Sequence, residues 1–504
     1  MYKTRFSLLE IISLVCIVLG ISAAFINFLH TRSLWVDEIM LASNIVSRSV
    51  EGLFKPLAMH QMAPIGFLLV EKGFSSLLGQ HDWTLRLFPF LAFIASIPLL
   101  VYLSFALTQN REYSFMCAGM FSITTPLIYY SAEVKQYMSD VLVCILILYT
   151  TIRFIQTKSK KRLLIYSITG ALVIWFSNTS IILLAAMGTY TLFHCRNECH
   201  SFHKVVLLHI PWLISFIAYY ALFIHNHPNR TFMHEFWEQA NAFLPQDIGS
   251  TEFYLQFYNK VYALILLFTG TKGVANVFLL ALIPAYTVAY RKNKSVFYIS
   301  LAPLLVQLLL SYLELYPFFK RLVLYLLPIV ILLYSYSSYE AAQYLKTKYS
   351  KLWQLSLLIP LLVLVPTLLK HVPFEKEEVQ KSLKVLNQNI LPSDSVYVYY
   401  GAQKAMSYYK HKYSNIKEDR LYIGHSYRKN WESYSKKIEQ FNHPTYWYIS
   451  SHQYWIDRNG TSEEAFILNA FRSNGYKVVI QQEFEGSSVY KFKKHSFTAK
   501  DERQ

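Results

Sequence analysis

Long apolar runs dominate the first 370 residues of this 504-residue chain. The first run, residues 8–29, is long enough to cross a bilayer as one helix and too long for a cleavable signal peptide. Only 16% of the residues are charged, whereas a soluble domain carries roughly 25%. The sequence therefore predicts an α-helical multi-span membrane protein. By the length criterion it has roughly eleven spans: 8–29, 86–107, 113–130, 138–155, 163–177, 179–193, 204–224, 261–290, 296–313, 318–337 and 352–369.

Basic residues set the predicted orientation. The formal net charge of +17 indicates cytoplasmic loops and contact with anionic membrane lipid. Segments rich in Lys and Arg at 158–162, 291–294 and 346–351 mark the cytoplasmic side. The N-terminus is then cytoplasmic, and residues 371–504 lie on the extracytoplasmic (periplasmic) side of the inner membrane. No soluble segment combines a basic run with interleaved aromatic residues, so nucleic-acid binding is not predicted.

Residues 371–504 follow a different pattern. Strand-like runs at 395–400, 421–423, 446–449, 477–481 and 489–492 alternate with helical segments at 402–409, 431–441 and 463–471. This alternation predicts a small α/β domain with a largely parallel sheet, so the predicted domains are 1–370 and 371–504. Clustered tyrosines in this domain could bind glycan, although packing of strands is the commoner use of such residues: Tyr397, Tyr399, Tyr400, Tyr408 and Tyr409.

Two adjacent acids, Asp37 and Glu38, follow the first apolar run. Acids at the mouth of a membrane helix are costly unless they face water, a partner or a substrate. Trp35, just before them, is typical of the headgroup interface. The simplest interpretation is a helix cap, because negative charge favours the N-terminus of a helix over residues 39–46. We predict a catalytic first outer loop instead, residues 30–85, because further polar groups gather on the same predicted side.

Those further groups come from three outer segments: Gln61, Glu133, Lys135, Tyr137, Lys320 and Arg321. Opposed acids and bases at a bilayer surface suit a substrate that carries an anionic lipid phosphate and reacts with a nucleophilic hydroxyl. The sequence therefore favours an enzyme of the membrane surface.

The cysteines and histidines around residue 197 form the one candidate metal cluster. Cys195 and Cys199 lie among His194, His200 and His203, but their spacing matches no common zinc pattern. A basic connecting loop explains the segment better. The sequence predicts no metal site and no organic cofactor, while a role for a divalent metal ion stays open.

Motifs from three segments of the chain occur in order on the predicted outer side. Trp35-Val-Asp-Glu38 is followed by Gln61-x-x-Pro64 and Trp83-Thr-Leu-Arg86-Leu-Phe-Pro89, then by Tyr130-Ser-Ala-Glu-Val-Lys-Gln-Tyr137, and finally by Lys320-Arg321-Leu-Val-Leu-Tyr-Leu-Leu-Pro328. In this order they resemble polyprenyl-phosphate-sugar-dependent glycosyltransferases of the GT-C fold, which include protein O-mannosyltransferases and bacterial aminoarabinose transferases. The resemblance covers residues 1–370. It implies transfer of a sugar from a polyprenyl phosphate on the outer face, with inversion, to a hydroxyl or phosphate of a lipid, glycan or protein acceptor.

The resemblance also implies roles for individual residues. Asp37 is the general base of a catalytic pair with Glu38. Arg321 and Lys320, helped by Lys135, bind the donor phosphate. The remaining candidates contact or orient the substrate: Glu133, Gln61, Tyr137 and Trp35.

Departures from the family pattern leave alternatives open. Lys135 stands where the family usually has arginine. A lysine ammonium would contact the phosphate as a point charge, without the two-pronged hydrogen bonding of a guanidinium. Lys320 and Arg321 could serve only as headgroup anchors, and Glu133 could pair with Lys135. A transporter or flippase for a lipid-linked sugar is the alternative function. Such proteins typically have broken helices in two related halves, which this sequence does not show.

Overall fold

The computed structural model describes residues 6–156, 159–197, 202–225, 227–348, 353–453 and 460–494. The chain forms two compact units. The first contains Met1–His30 and Asn44–Pro373, and the second contains Thr31–Ser43 and Phe374–Gln504. Sequence patterning placed Thr31–Ser43 with the membrane part, whereas in the structure this segment packs with the α/β part.

The helices up to residue 371 are, in chain order, α1 (Leu8–Leu29), α2 (Val36–Ser47), α3 (Val50–Leu53), α4 (Ile65–Leu78), α5 (Leu87–Thr108), α6 (Arg111–Ile123), α7 (Thr125–Tyr130), α8 (Tyr137–Gln156), α9 (Lys160–Val173), α10 (Ser180–Asn197), α11 (Phe202–Tyr219), α12 (Arg230–Gln239), α13 (Thr251–Thr269), α14 (Lys272–Lys292), α15 (Lys294–Tyr312), α16 (Leu327–Lys348) and α17 (Trp353–His371). Short 3-10 helices precede α5 and α16, at Thr84–Arg86 and Lys320–Leu326, and a π-helical segment, Tyr220–Ile224, extends α11.

Seven helices among the described residues are long and apolar enough to cross a membrane: Leu8–Leu29, Thr84–Thr108, Tyr137–Gln156, Val205–Ile224, Lys272–Lys292, Lys294–Tyr312 and Lys320–Thr347. The predicted helical membrane class is therefore confirmed, but the count of eleven spans is not. The predicted span 113–130 is divided between α6 and α7. Pro126 lies in the first turn of α7, and a proline cannot donate the amide hydrogen bond that would continue the preceding helix.

Helix α8 lies in the interior of the first unit. It packs against α5, α9 and α10, and its side chains Val141, Ile145 and Leu148 are fully buried. Lipid is as apolar as these side chains, so close packing is what holds such a helix in place. The same helix also packs against the Lys320–Leu326 segment, which brings together two segments that carry predicted site residues.

Among its described residues, the second unit contains four further α-helices, a five-stranded sheet and three short 3-10 helices at Tyr400–Ala402, Lys410–Lys412 and Glu418–Arg420. The helices are α18 (Val379–Asn389), α19 (Gln403–Tyr409), α20 (Glu432–Glu439) and α21 (Glu463–Ser473). The strands are β1 (Ser395–Val398), β2 (Leu421–Ile423), β3 (Thr445–Ser451), β4 (Tyr476–Phe484) and β5 (Ser487–Lys494). The predicted small α/β domain is confirmed.

The sheet has the order β2-β1-β3-β5-β4. Strand β1 runs parallel to β2 and β3, with Val396 opposite Leu421 and Trp447, whereas β5 is antiparallel to both β3 and β4. The prediction of a largely parallel sheet is therefore wrong for its second half. Only Glu485 and Gly486 separate β4 from β5, and so short a connection can join strands only as an antiparallel hairpin.

Aromatic side chains form the core of the second unit. Tyr397, Tyr399 and Tyr409 are buried, and the hydroxyl of Tyr399 donates to Glu463 at 2.6 Å. Rings of Phe471 and Phe492 stack at a centroid distance of 4.2 Å. The tyrosines with strand periodicity therefore pack the sheet, as strand-forming residues usually do.

The orientation of the chain stays a prediction, which cysteine labelling can test. In a background without the five native cysteines, Ser414→Cys, on an exposed loop of the second unit, should react with an impermeant maleimide in intact spheroplasts. Ser159→Cys, exposed before α9 in a basic segment, should react only after lysis, because basic loops stay in the cytoplasm. The reverse pattern would invert the topology and place the predicted site inside the cell.

Candidate active site

Glu38 is fully buried in the first turn of α2. Its Oε2 accepts hydrogen bonds from Nη1 of Arg32 at 3.0 Å and from the amide of Trp35 at 3.3 Å. The carbonyl of Trp35 accepts the first helical hydrogen bond, from Ile39. Trp35 is thus the N-cap residue of α2, and Glu38 accepts its backbone amide hydrogen, as the acid of a capping box does. These contacts favour a structural role for Glu38 over proton transfer.

Asp37, in contrast, is partly exposed on the same turn. A cation from α19 lies close to it: burial lowers the pKa of Lys404, and the nearby Asp37 carboxylate opposes that shift by favouring the charged ammonium. Nζ of Lys404 also lies 3.0 Å from Sδ of Met40, about one helical turn beyond Asp37. The structure therefore places near the predicted base a cation that no motif in the sequence indicated.

Trp35 lies inside the second unit, with 6% of its surface exposed. Nζ of Lys376 lies 3.1 Å from the centroid of its ring, within the range of a cation–π interaction. The indole therefore helps to fix the segment before α2, and a substrate contact by Trp35 stays a prediction.

In the first unit, Gln61 and Lys135 are in direct contact. Nζ of Lys135 donates to Oε1 of Gln61 at 2.7 Å. Gln61 follows Met59 and His60, which have φ values of 59° and 53°. Residues other than glycine rarely adopt this left-handed region, and such strain concentrates at functional sites. Glu133 lies in the turn between α7 and α8 and is fully buried, so its carboxylate is shielded from bulk water.

Tyr137, the first residue of α8, lies under the guanidinium of Arg321. The Cζ atom of Arg321 is 5.9 Å from the centroid of the Tyr137 ring, a cation–π geometry that orients the planar fork. Lys320 differs from Arg321: it is exposed, has a φ of 25°, and extends over the ring of Phe319. The partly buried Arg321 is therefore the better candidate for holding a phosphate, while Lys320 has the exposure of a headgroup anchor.

Asp140 is a further acid that the sequence motifs did not indicate. It lies three residues after Tyr137 on α8, is 5% exposed, and its Oδ1 has no hydrogen-bond partner among the described residues. Residues three apart share a helix face, so the spacing of Asp140 from Tyr137 in the sequence could have indicated that it lies near the candidate site. A shielded carboxylate oxygen is an acceptor able to bind a hydroxyl or an ammonium group.

In the part of the chain that the structure describes, no group of three or more His, Cys, Asp and Glu side chains is arranged to hold a metal ion. Cys199 and His200 of the candidate cluster lie outside the described residues.

The fold has a counterpart among solved structures. ArnT from Cupriavidus metallidurans, crystallised with undecaprenyl phosphate, aligns with a TM-score of 0.53 over 95% of this chain and 97% of ArnT, at 11% sequence identity. The chain has the GT-C fold. The membrane helices and the C-terminal α/β part of this GT-C chain are thus both covered by the alignment, and the family resemblance seen in its motifs is confirmed for the fold.

Two other structures align less closely. Apo ArnT from the same organism has a TM-score of 0.48 and 12% identity, covering 94% of this chain and 97% of ArnT. The archaeal oligosaccharyltransferase AglB from Archaeoglobus fulgidus, in complex with an inhibitory peptide and a dolichol-phosphate, has a TM-score of 0.45 and 10% identity, covering 95% of this chain and 74% of AglB. No protein-family model and no curated protein matches the sequence.

Proposed function

We propose that the protein is a membrane glycosyltransferase that moves a sugar from a polyprenyl-phosphate donor to an acceptor on the outer face of the membrane. The observation that carries this proposal is the pair of cations at the start of α8, where Gln61 holds Lys135 and Tyr137 orients Arg321. A GT-C fold whose structural neighbour was crystallised with undecaprenyl phosphate supports the choice of donor.

The proposed chemistry is one displacement with inversion at the anomeric carbon. Asp37 takes the proton from the acceptor hydroxyl, and the acceptor oxygen forms the new bond to the sugar. The bond from the sugar to the phosphate breaks, and its electron pair goes to the phosphate oxygen of the departing polyprenyl phosphate. Arg321 and Lys135 stabilise that charge. Asp140 is a candidate acceptor for a hydroxyl or amino group of the sugar.

A narrow apolar cleft of about 20 Å³ in the first unit is a candidate path for the lipid tail of such a donor, and the surrounding helices must part to admit it. It is lined by side chains of α13, α14, α15 and α16, among them Leu264, Leu282, Leu304 and Leu333. Leu326, at the end of the 3-10 segment that begins with Lys320 and Arg321, also lines it. Five residues of 3-10 helix span about 10 Å. We propose that a phosphate held by Arg321 directs its prenyl chain into this cleft.

Filling the cleft should weaken use of long-chain donors selectively. Leu282→Trp should raise the KM for an undecaprenyl-linked sugar about tenfold, because excluding two buried methylenes already costs roughly 1.6 kcal/mol. A donor with a single isoprene unit should be used as by wild type, since its chain is too short to cover the distance of about 10 Å from Arg321 to the cleft. Steady-state kinetics of the purified protein with both donors measures the difference.

Ile283→Trp is the matched control, because the adjacent Ile283 is 77% exposed on α14 and does not line the cleft. It should leave both KM values unchanged. If the Leu282→Trp protein has wild-type KM values for both donors, the prenyl chain binds elsewhere.

Mass spectrometry of envelope lipids, glycans and proteins from cells with and without the protein tests the proposed function. Loss of one sugar from a mature acceptor, with accumulation of the polyprenyl-phosphate sugar, supports transfer at the outer face. A transporter or flippase would instead leave the purified protein unable to form a sugar–acceptor bond when donor and acceptor are both supplied in detergent.

A further inference from the structure

Glu377 binds the N-terminus of the helix that carries Asp37. Its Oε2 accepts the backbone amide hydrogen of Val36 at 3.1 Å, and Glu377 is 3% exposed. Val36 is the first residue of α2, so its amide is among those that cannot find a partner within the helix. A carboxylate at this position satisfies the amide and interacts favourably with the helix dipole. The bond is made to the residue immediately before Asp37.

Other residues of the second unit hold the residues before Val36. The amide of Leu34 donates to the hydroxyl of Tyr409 at 2.8 Å. The hydroxyl of Ser33 accepts from the amide of Gln380 at 3.1 Å and lies 3.5 Å from Oε2 of Glu378. Ser33, Leu34 and Val36 are thus all bonded to residues from beyond residue 376, and these long-range bonds add to the segment's own capping contacts.

Glu377 is itself held in place. Its Oε1 lies 2.8 Å from Nδ1 of His452, which follows β3. His452 has a φ of 59°, a strained left-handed conformation that persists only where its surroundings require it. The sheet of the second unit therefore fixes His452, His452 fixes Glu377, and Glu377 fixes the start of α2.

We propose that Glu377 is a positioning residue for Asp37, and that the C-terminal α/β domain serves in catalysis by holding the first residue of α2 through Glu377 and the segment before it through Tyr409. This proposal rests on the proposed function, in which Asp37 is the general base. It gives the α/β domain a task in the reaction, which requires no ligand to bind that domain.

Glu377→Ala should lower kcat at least tenfold and change the KM for the lipid donor less than twofold, because misplacing a reacting group by about 1 Å already costs rate on the scale of a hundredfold. Glu377→Gln should recover most of the rate, since its amide oxygen can still accept from Val36. Tyr409→Phe, which keeps the ring and loses the hydroxyl, should lower kcat about threefold and serves if the alanine variant fails to fold.

Hydrogen–deuterium exchange tests the physical link without an activity assay. In the folded Glu377→Ala protein, or in Tyr409→Phe if that protein does not fold, a peptide covering residues 31–43 should exchange faster than in wild type, with α18 unchanged, because lost amide bonds open locally. Glu375→Ala is the matched control, since the exposed Glu375 pairs with Lys381 and should change neither exchange nor kcat.

Wild-type exchange and wild-type kcat in Glu377→Ala and Tyr409→Phe would overturn the proposal, even if Asp37→Asn is inactive and the proposed function holds. Faster exchange with unchanged kcat would also overturn the positioning role, since the bond would then be structural only. An active Asp37→Asn protein would instead remove the proposed base, whatever Glu377 does.

Discussion

Asp37→Asn should abolish sugar transfer while folding and donor-lipid binding stay close to wild type. The substitution keeps the shape of the side chain and removes the base, and general-base catalysis is typically worth about a hundred- to ten-thousandfold in rate. Asp37 is the partly exposed member of the acidic pair, so it is the acid that an acceptor can reach. The measurement is transfer of labelled sugar from a polyprenyl-phosphate donor to envelope extract by purified protein.

Glu51→Gln is the control for this variant, because Glu51 is an exposed acid of the same predicted loop, in α3. It should transfer sugar at the wild-type rate. Glu38→Gln should behave differently from both: it removes the charge of a buried carboxylate that accepts from Arg32 and from the amide of Trp35, so it should lower the stability of the protein. A near wild-type rate for Asp37→Asn would make Asp37 a helix cap and direct the search for the base to Glu133.

Arg321→Ala should lower turnover on the order of a hundredfold. Loss of one electrostatic donor to a leaving group commonly has this effect, and charge-assisted contacts to phosphate are among the stronger polar interactions. Arg321→Lys should restore part of the rate, because the charge survives while the planar fork over Tyr137 is lost. Turnover and donor affinity, measured with the same labelled polyprenyl-phosphate sugar, separate leaving-group stabilisation from binding.

Lys320→Ala provides the comparison within the same dipeptide. Lys320 is exposed over Phe319, so its loss should reduce turnover less than threefold, in keeping with the small contribution of exposed charges. If the two alanine variants lose activity equally, the burial of Arg321 and its contact with Tyr137 do not make it more important for catalysis than Lys320. If neither loses activity, both residues are headgroup anchors.

Local patterns predicted much of the secondary structure. The first apolar run forms α1, and the strand-like runs after residue 395 all form strands. The spacing of apolar residues and the β-propensity of the side chains decide these elements, and both can be read from a few neighbouring residues. The number of spans did not follow, since short or interrupted helices such as α6 and α7 depend on neighbours for their burial. The direction of β5 follows from its two-residue connection to β4. The general alternation of helix and strand in this part of the chain predicted a parallel strand instead.

The candidate site was accessible from the sequence only where its residues lie close in the chain. Asp37 and Glu38 could be found as a pair, but their different environments come from Arg32 on one side and Lys404 on the other. Lys404 and Glu377 lie more than 330 residues after the acids, and no local pattern connects them. The contact of Lys135 with Gln61 likewise depends on how distant segments fold together.

The most direct test of the glycosyltransferase assignment is the release of polyprenyl phosphate. Purified wild-type protein should convert a polyprenyl-phosphate sugar to free polyprenyl phosphate in step with the appearance of labelled sugar on an acceptor from envelope extract. Asp37→Asn and Arg321→Ala should do neither at a comparable rate. A donor left intact by wild-type protein in the presence of every acceptor fraction, or released equally by the Asp37→Asn protein, would contradict the proposed function.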